Sequence, residues 1–367
     1  MIAIIEARQL QKSFGASHAV RGVSFSVNEG EFLSLLGESG SGKTTILRMI
    51  AGLERPTSGE VLCRGRDITE LPPAQRDIRM VFQDYALFPN LTVWDNVAFG
   101  LRLRISRGRV SAEEVKTRVG QFLETVQLSA HAGKRPHQLS GGQKQRVSLA
   151  RALVTDPPVV LFDEPLGSLD ASMRKVMQLE LKRLHRGLRK TFIYVTHDQE
   201  EAMGLSDRVA VLKDGELLQL ATPEQIYAQP NCVAVARFLG TANVLTGTAA
   251  AAAEGGTTLE LPGGAGIGLG ARPAAAAGTA LTVMIRAEHV SLAPPDSRVA
   301  GAHPARVVER LFLGDKVRYE LELAAGGLGV TAIESGERQP FAVGDNVNLT
   351  IDPANVCVIP EGARSAA

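Results

Sequence analysis

Gly37-Glu38-Ser39-Gly40-Ser41-Gly42-Lys43-Thr44-Thr45 follows an apolar run from Glu31 to Leu36 and precedes a helical pattern from Lys43 to Ala51. Glycine, four residues, then glycine, lysine and threonine is the P-loop pattern, and strand–loop–helix is the context it requires. Gly37, Gly40 and Gly42 let backbone amides wrap around phosphates, with Ser39, Ser41 and Thr45 in the same cradle. Lys43 is placed to reach the β- and γ-phosphates of ATP, and Thr44 to give its hydroxyl to Mg²⁺.

Outward from this loop the first two thirds of the chain alternate strand and helix patterns. Val23, Phe25 and Val27 alternate with polar residues, as in a half-buried strand. Ile78 to Phe82 and Thr191 to Thr196 read as strands. Val159 to Phe162 is an unbroken apolar run, as expected for a parallel strand buried on both faces. Ser111 to Gln127 reads as an amphipathic helix opened by a Ser111/Glu114 capping box, with Val115, Val119, Phe122, Leu123 and Val126 on one face. Asp214-Gly215 reads as a tight hairpin, and Thr222-Pro223-Glu224-Gln225 as the start of a short helix. The fold class is α/β.

In an open α/β sheet, ligands sit beyond the C-terminal ends of the strands. Asp163 and Glu164 end the buried apolar run, one carboxylate suited to the metal and one to polarise an attacking water. Solvated strand-end acids are the ordinary alternative, which the upstream P-loop disfavours. Gln83 and His197 end two further strands, where they can sense Mg²⁺, the water or the γ-phosphate. Phe14 precedes the first loop and can stack on an adenine ring or serve as a core aromatic.

Leu139-Ser140-Gly141-Gly142-Gln143 adds a second glycine turn. Ser140 and Gln143 have capping-box spacing, and Val147, Ala150, Leu153 and Val154 supply an apolar face behind them. A second helix N-terminus is a second anion site. One nucleotide on one chain does not need two such ends, so one of them is expected to serve a neighbouring subunit.

The chain has 367 residues, 44% of them hydrophobic, enough for two domains, or three small ones, with real cores. Its 40 basic and 39 acidic residues nearly cancel, which gives no electrostatic footprint for nucleic acid. Cys63, Cys232 and Cys357 are odd in number and far apart, against a disulfide framework. The first residues are charged too early for a signal peptide, and no apolar run approaches the ~20 residues that cross a bilayer. Past residue 240 the character changes. Residues 247–280 are rich in Ala, Gly and Thr and read as a variable surface segment. Leu281–Ile285, Ala305–Leu313, Lys316–Leu323 and Asn346–Ile351 read as strands of a small all-β domain of OB type, and the tail after Pro360 as disordered.

The P-loop, Gln83, Leu139–Gln143, Leu161-Phe162-Asp163-Glu164-Pro165, Ser168-Leu169-Asp170 and Thr196-His197-Asp198 stand together in one order. In this the chain resembles the ATP-binding subunits of ABC transporters over residues 4–236, with a helical subdomain at about 84–155. Residues 237–360 resemble the TOBE-type regulatory domain of importer ATPases, with Arg286-Ala287-Glu288 in place of a recurrent Arg-Pro-Glu turn, and 361–367 remain as a tail. The resemblance implies a homodimer in which Ser140, Gly141, Gly142 and Gln143 grip the γ-phosphate held by the partner protomer. It implies Glu164 as catalytic base, His197 as γ-phosphate sensor, Asp163 and Gln83 at the metal, and Asp170 at the dimer interface. It also implies that Asp84–Pro89 abuts one of two transmembrane permease subunits, at the cytoplasmic face of the inner membrane, with a periplasmic or extracellular solute-binding protein. Gly167 stands where bulkier residues are common, and Phe14 where tyrosine or tryptophan is usual.

Arg174–His185 and Thr191–Met203 most resemble spermidine/putrescine importer ATPases, with ferric iron, sulfate and phosphonate importers as alternatives. Those stretches belong to the ATP machinery and touch no solute. A soluble ABC protein of translation or DNA maintenance would show tandem cassettes or long heptads, and the chain has neither. A P-loop kinase would leave Leu139–Gln143 without a role.

Overall fold

The computed structural model describes residues 3–105, 110–251, 256–270, 276–297, 299, 301–336 and 341–360. The chain divides into two compact units, Met1–Pro223 and Glu224–Ala366.

The first unit is built on a six-stranded sheet. Its order is Glu216–Ala221, Arg208–Lys213, Phe32–Leu36, Thr191–Thr196, Val159–Asp163, Ile78–Val81. All neighbours pair parallel except Glu216–Ala221, which returns antiparallel on Arg208–Lys213. The three central strands, Phe32–Leu36, Thr191–Thr196 and Val159–Asp163, are buried at every position, as covering of both faces requires. Asp214 and Gly215 take φ of 50° and 83°, the left-handed pair of a type I′ hairpin turn.

Helix Lys43–Ala51 lies on one side of this sheet. Ile46, Leu47 and Ile50 join the core formed by Leu33, Leu35, Val159, Leu161, Ile193 and Val195. That core extends to a second, antiparallel sheet ordered Ser17–Asn28, Ala3–Phe14, Ser58–Cys63, Arg66–Asp67. The pattern of Val23, Phe25 and Val27 belongs here, all three buried.

Helices Val93–Ile105, Ala112–Thr125 and Gly141–Leu153 share a separate core of Val93, Val97, Leu101, Val115, Val119, Leu123, Val147 and Val154. Ser111 caps the second of these, accepting from the Glu114 amide at 3.1 Å. The expected reciprocal half of that box is not made; Glu114 instead pairs with Arg118 one turn on, at 3.1 Å.

The second unit carries two antiparallel five-stranded sheets over one core. One runs Gly266–Gly268, Thr257–Glu260, Ala242–Ala251, Ala280–Arg286, Val356–Ile359. The other runs Val290–Ala293, Asn346–Ile351, His303–Phe312, Lys316–Leu323, Gly329–Ser335. Arg286 is buried beneath its turn. Its guanidinium donates to the carbonyls of Tyr227 and Ala236, at 2.7 and 3.0 Å, and to that of Leu239. The Glu288 carboxylate accepts from the Tyr227 hydroxyl, and burial together with that carboxylate pushes the phenol up to about 12.

Residues 247–280 correct the sequence reading of a variable surface segment. Their described part supplies strands, and Leu259, Leu261, Ala265, Ile267 and Leu269 join the core. The few apolar side chains alternate, but interleaved Gly, Ala and Thr dilute the period-two signal. The tail after Pro360 and residues 252–255 and 271–275 lie outside the described residues. No helix among the described residues is long and apolar enough to cross a membrane.

Leu259 decides between the two readings of this segment. A buried Leu→Ala change costs ~2–5 kcal/mol, whereas a surface change stays within about 0.5. Leu259→Ala should therefore lower the unfolding free energy of the β unit by ~2–5 kcal/mol in urea titration. A shift near zero would return the segment to the surface.

Candidate functional site

Parallel pairing places the sequence-derived candidates in one row. Leu36 pairs with Thr196, Asp163 with Val195, and Val81 with Phe162. The residues that follow these strand ends are Gly37, His197, Glu164 and, past Phe82, Gln83. Adjacent strands lie about 4.8 Å apart, so segments distant in sequence become neighbours.

The loop Gly37–Gly42 is shaped by close approach. A Cβ on Gly37 would fall 2.2 Å from the Leu212 carbonyl oxygen and 2.6 Å from Ser41 Oγ. Gly42 takes φ of 94° as N-cap of helix Lys43–Ala51, and a Cβ there would stand 2.5 Å from the Ala19 carbonyl oxygen. The cradle therefore excludes side chains at both ends. Lys43 is buried, its Nζ donating to the carbonyls of Gly37 and Glu38 at 2.8 and 2.7 Å. Burial pulls its pKa below the usual lysine value, against the carboxylates of Glu164, Asp163 and Glu38. A buried cation at a helix N-terminus inside a ring of amides is suited to an anion. Ser39 and Gly40 are exposed at the rim, and Thr45 is half-buried behind Thr44.

Thr44 Oγ1 donates to Asp163 Oδ1 at 2.9 Å. Burial pushes the Asp163 carboxyl above its ordinary range, opposed by the Thr44 bond and the charge of Arg48. A hydroxyl and a carboxylate in contact are hard oxygen donors that fit Mg²⁺, which uses one or two protein oxygens and leaves the rest to water and phosphate. No cluster of three or more His, Cys, Asp or Glu that could hold a metal exists among the described residues.

Glu164 sits at φ 43°, an unfavoured conformation for a non-glycine residue, with its amide donating to the Val195 carbonyl at 3.1 Å. Its Oε2 meets His197 Nδ1 at 3.1 Å, so the base candidate and the histidine are already paired. A Cβ on Gly167 would be 3.8 Å from both Gln83 Nε2 and Glu164 Oε2, which places Gln83 beside the same carboxylate. Those contacts are ordinary, so the glycine opens space here without strain.

Ser140, Gly141, Gly142 and Gln143 form a second N-terminus. Ser140 Oγ accepts from the Gln143 amide at 3.3 Å, and Gln143 Oε1 accepts from the Ser140 amide at 3.0 Å, completing the expected box. Gly142 packs on Met173, where a Cβ would stand 3.0 Å from the sulfur. No hydrogen bond or ion pair joins Ser140–Gln143 to Gly37–Thr45 among the described residues. Asp170 caps helix Ala171–Leu188, accepting from the Met173 amide at 2.9 Å and the Ser172 hydroxyl at 2.7 Å, which hold its carboxyl below the usual range. Phe14 is 51% exposed at the end of its strand, with Lys12 Nζ 4.9 Å from its ring centroid. It is therefore no core aromatic, and Lys12 lies over one face of the exposed ring.

Sequence reasoning missed the polar frame around this row. Glu201 is buried and accepts from Tyr194 Oη and Thr196 Oγ1, each at 2.8 Å. Asp198 accepts from the Glu201 amide at 3.1 Å. The Asp-x-x-Glu spacing of Asp198 and Glu201 was a usable helix-start signal, whereas the bonds from Tyr194 and Thr196 follow only from strand packing. Arg151, Ser148 and Tyr85 likewise escaped notice, because their shared contacts are with backbone carbonyls of a loop.

The ABC transporter family profile matches residues 20–167, and the TOBE domain profile residues 283–359. Spermidine/putrescine import ATP-binding protein PotA of Thermobifida fusca is 48% identical over 93% of this chain and 88% of its own. The protein of that name from Rubrobacter xylanophilus is 44% identical over 98% and 94%. Among solved structures, cbiO1 of Clostridium perfringens, part of the ABC transporter complex cbiONQ, superposes with a TM-score of 0.57 at 28% identity, over 62% of this chain and 92% of that one. A dimeric ATP-binding cassette in a post-hydrolysis state with ADP and Pi does so at 0.53 and 35%, over 60% and 98%.

Asp163 carries a stability consequence. Its folded pKa lies above the unfolded value near 3.8, so the folded state binds more protons, and stability falls as pH rises through that interval. Asp163→Asn keeps an acceptor for Thr44 and removes the buried charge. At neutral pH without nucleotide, the variant should melt higher than the wild type, with the gap shrinking below pH ~4. A lower melting temperature at pH 7 would contradict this.

Proposed function

The chain belongs to the ATP-binding subunits of ABC transporters, and from that premise we propose that it energises import of the polyamines spermidine and putrescine across the cytoplasmic membrane. The observation that carries the ATPase is the alignment of Lys43, Thr44, Asp163, Glu164 and His197 along one sheet edge. The names borne by relatives of 44–48% identity over nearly the whole chain carry the solute. Ferric iron, sulfate and phosphonate import are the alternatives that the uptake assay below separates from polyamine import.

Each residue's part follows from its surroundings. Amides of Gly37–Thr45 and the Lys43 ammonium bind the triphosphate, and the anion relieves the cost of that buried cation. Mg²⁺ would rest on Thr44 and Asp163, with Gln83 close by, and when bound it neutralises phosphate charge. Glu164 Oε2 takes the proton from the attacking water, while His197 Nδ1 holds that oxygen in place and leaves its other ring nitrogen, Nε2, for the transferred phosphoryl. Phe14 stacks on the base. Closed head to tail, two protomers bring Ser140–Gln143 of each to the nucleotide on the other, with Asp170 at the interface. That arrangement explains why Ser140 and Lys43 share no bond within one chain.

Each protomer docks at the cytoplasmic face on one of two permease subunits, through Asp84–Pro89, and works with an external solute-binding protein. Phe88, 38% exposed and packed on Phe99 at 4.5 Å, gives that segment an apolar contact.

Glu164→Gln should lower steady-state ATP hydrolysis ~10²–10⁴-fold, as loss of a positioned base does, and trap an ATP-bound dimer in size-exclusion chromatography. A monomer at saturating ATP and Mg²⁺ would sink the sandwich arrangement. Hydrolysis should need no phosphate acceptor. Proteoliposomes carrying the complete complex should take up labelled spermidine or putrescine in an ATP-dependent manner; uptake of ferric iron, sulfate or phosphonate instead would overturn the solute assignment.

A further inference from the structure

Tyr85 and Ala86, just beyond Gln83, are consecutive non-glycine residues at positive φ, 65° and 45°. Such a bend persists only where its surroundings hold it. Arg151 donates to the Ala86 carbonyl at 2.6 Å and to the Tyr85 carbonyl at 3.0 Å. Ser148 Oγ donates to the Tyr85 carbonyl at 3.0 Å. Arg151 and Ser148 both belong to helix Gly141–Leu153, whose N-terminus is the Ser140–Gln143 turn.

The Tyr85 side chain reaches the other way. Its hydroxyl lies 2.6 Å from Ser168 Oγ, in the loop between Glu164 and Asp170. A Cβ on Gly141 would stand 3.6 Å from that hydroxyl and 3.4 Å from Leu169 Cδ2. Tyr85 thus bonds to the Glu164–Asp170 loop and lies beside the Ser140 turn, while its backbone belongs to Asp84–Pro89. Among the described residues, no hydrogen bond joins Tyr85 or Ser168 to Lys43, Thr44, Asp163 or Glu164.

We propose that Tyr85 is a positioning residue whose hydroxyl bond to Ser168 carries displacement of the Glu164–Asp170 loop to the permease-facing segment Asp84–Pro89. This rests on the transport reading above. The physical case is that a strained bend held by directional bonds has few nearby alternatives. A shift of one anchor, Ser168, relative to the other, Arg151, therefore moves the whole bend as a discrete step. A loop held only by apolar contact would absorb the same shift by sliding.

The test uses the complete transporter in proteoliposomes, with solute uptake and ATP hydrolysis measured on the same sample. Tyr85→Phe and Ser168→Ala each delete one hydroxyl, and Ser168→Thr restores it. Both deletions should leave hydrolysis by the isolated subunit within about twofold of wild type. Solute moved per ATP should fall about tenfold, a typical coupling between sites. The double variant should be no worse than either single one, because both remove the same bond, and Ser168→Thr should recover coupling. Unchanged coupling in both single variants, independent losses that multiply, or a parallel collapse of basal hydrolysis would each overturn the proposal. A wild-type complex that hydrolyses ATP but moves no solute would overturn the transport reading and the proposal with it. A wild type that transports beside variants of equal coupling overturns the proposal alone.

Discussion

Parallel strand pairing is the constraint on which the rest depends. Leu36 against Thr196, and Asp163 against Val195, fix where three strands end. Gly37, Lys43, Glu164 and His197 all follow those ends by a few residues. A one-residue slip would turn each strand's side chains over and separate Glu164 from His197. The full burial of the central strands on both faces makes such a slip costly, so the hydrophobic core sets the precision of the polar row.

The row itself is not arranged for stability. Lys43 and Asp163 are buried charges, each shifted toward its neutral form. Glu164, Tyr85 and Ala86 hold backbone conformations that cost about 1–3 kcal/mol apiece. The same unit holds other residues at positive φ, among them Gln9, Arg64, Gln127 and Arg189, so backbone strain is not confined to the row. Opposing these costs is the core of Leu33, Leu35, Leu161, Ile193 and Val195, where each buried aliphatic side chain contributes roughly 1.5–3 kcal/mol. Pre-paid strain of this kind is what lets a ligand or partner select among discrete arrangements. Among the described residues of the second unit, the deeply buried cation is Arg286, which is satisfied by backbone carbonyls and serves to lock a turn.

How far the sequence could be read varied with the kind of signal. Lys43–Ala51, Thr191–Thr196 and Lys316–Leu323 were legible to the residue, because flanking glycines mark the first, an apolar run the second and strict alternation the third. The Ser140 box was legible as chemistry, since both its bonds are local. The strands at 257–260 and 266–268 were not, because Gly, Ala and Thr outnumber the few core side chains that give a strand its period. The missing half of the Ser111 box had another cause: Arg118 competes for Glu114, and spacing alone cannot rank the two partners.

By itself the sequence determined the chemical vocabulary: a phosphate cradle, a metal hydroxyl, a carboxylate pair, and a second capped helix end, each encoded within a few residues. Only the tertiary structure decided which of these meet. Thr44 reaches Asp163, Glu164 reaches His197, and Tyr85 reaches Ser168, across separations of 119, 33 and 83 positions. It also decided which do not, leaving Ser140 without a bond to the cradle of its own chain. The reason is that local propensity depends on neighbours in sequence, whereas contact between distant residues depends on strand order and register. Those are set by the burial of the whole sheet.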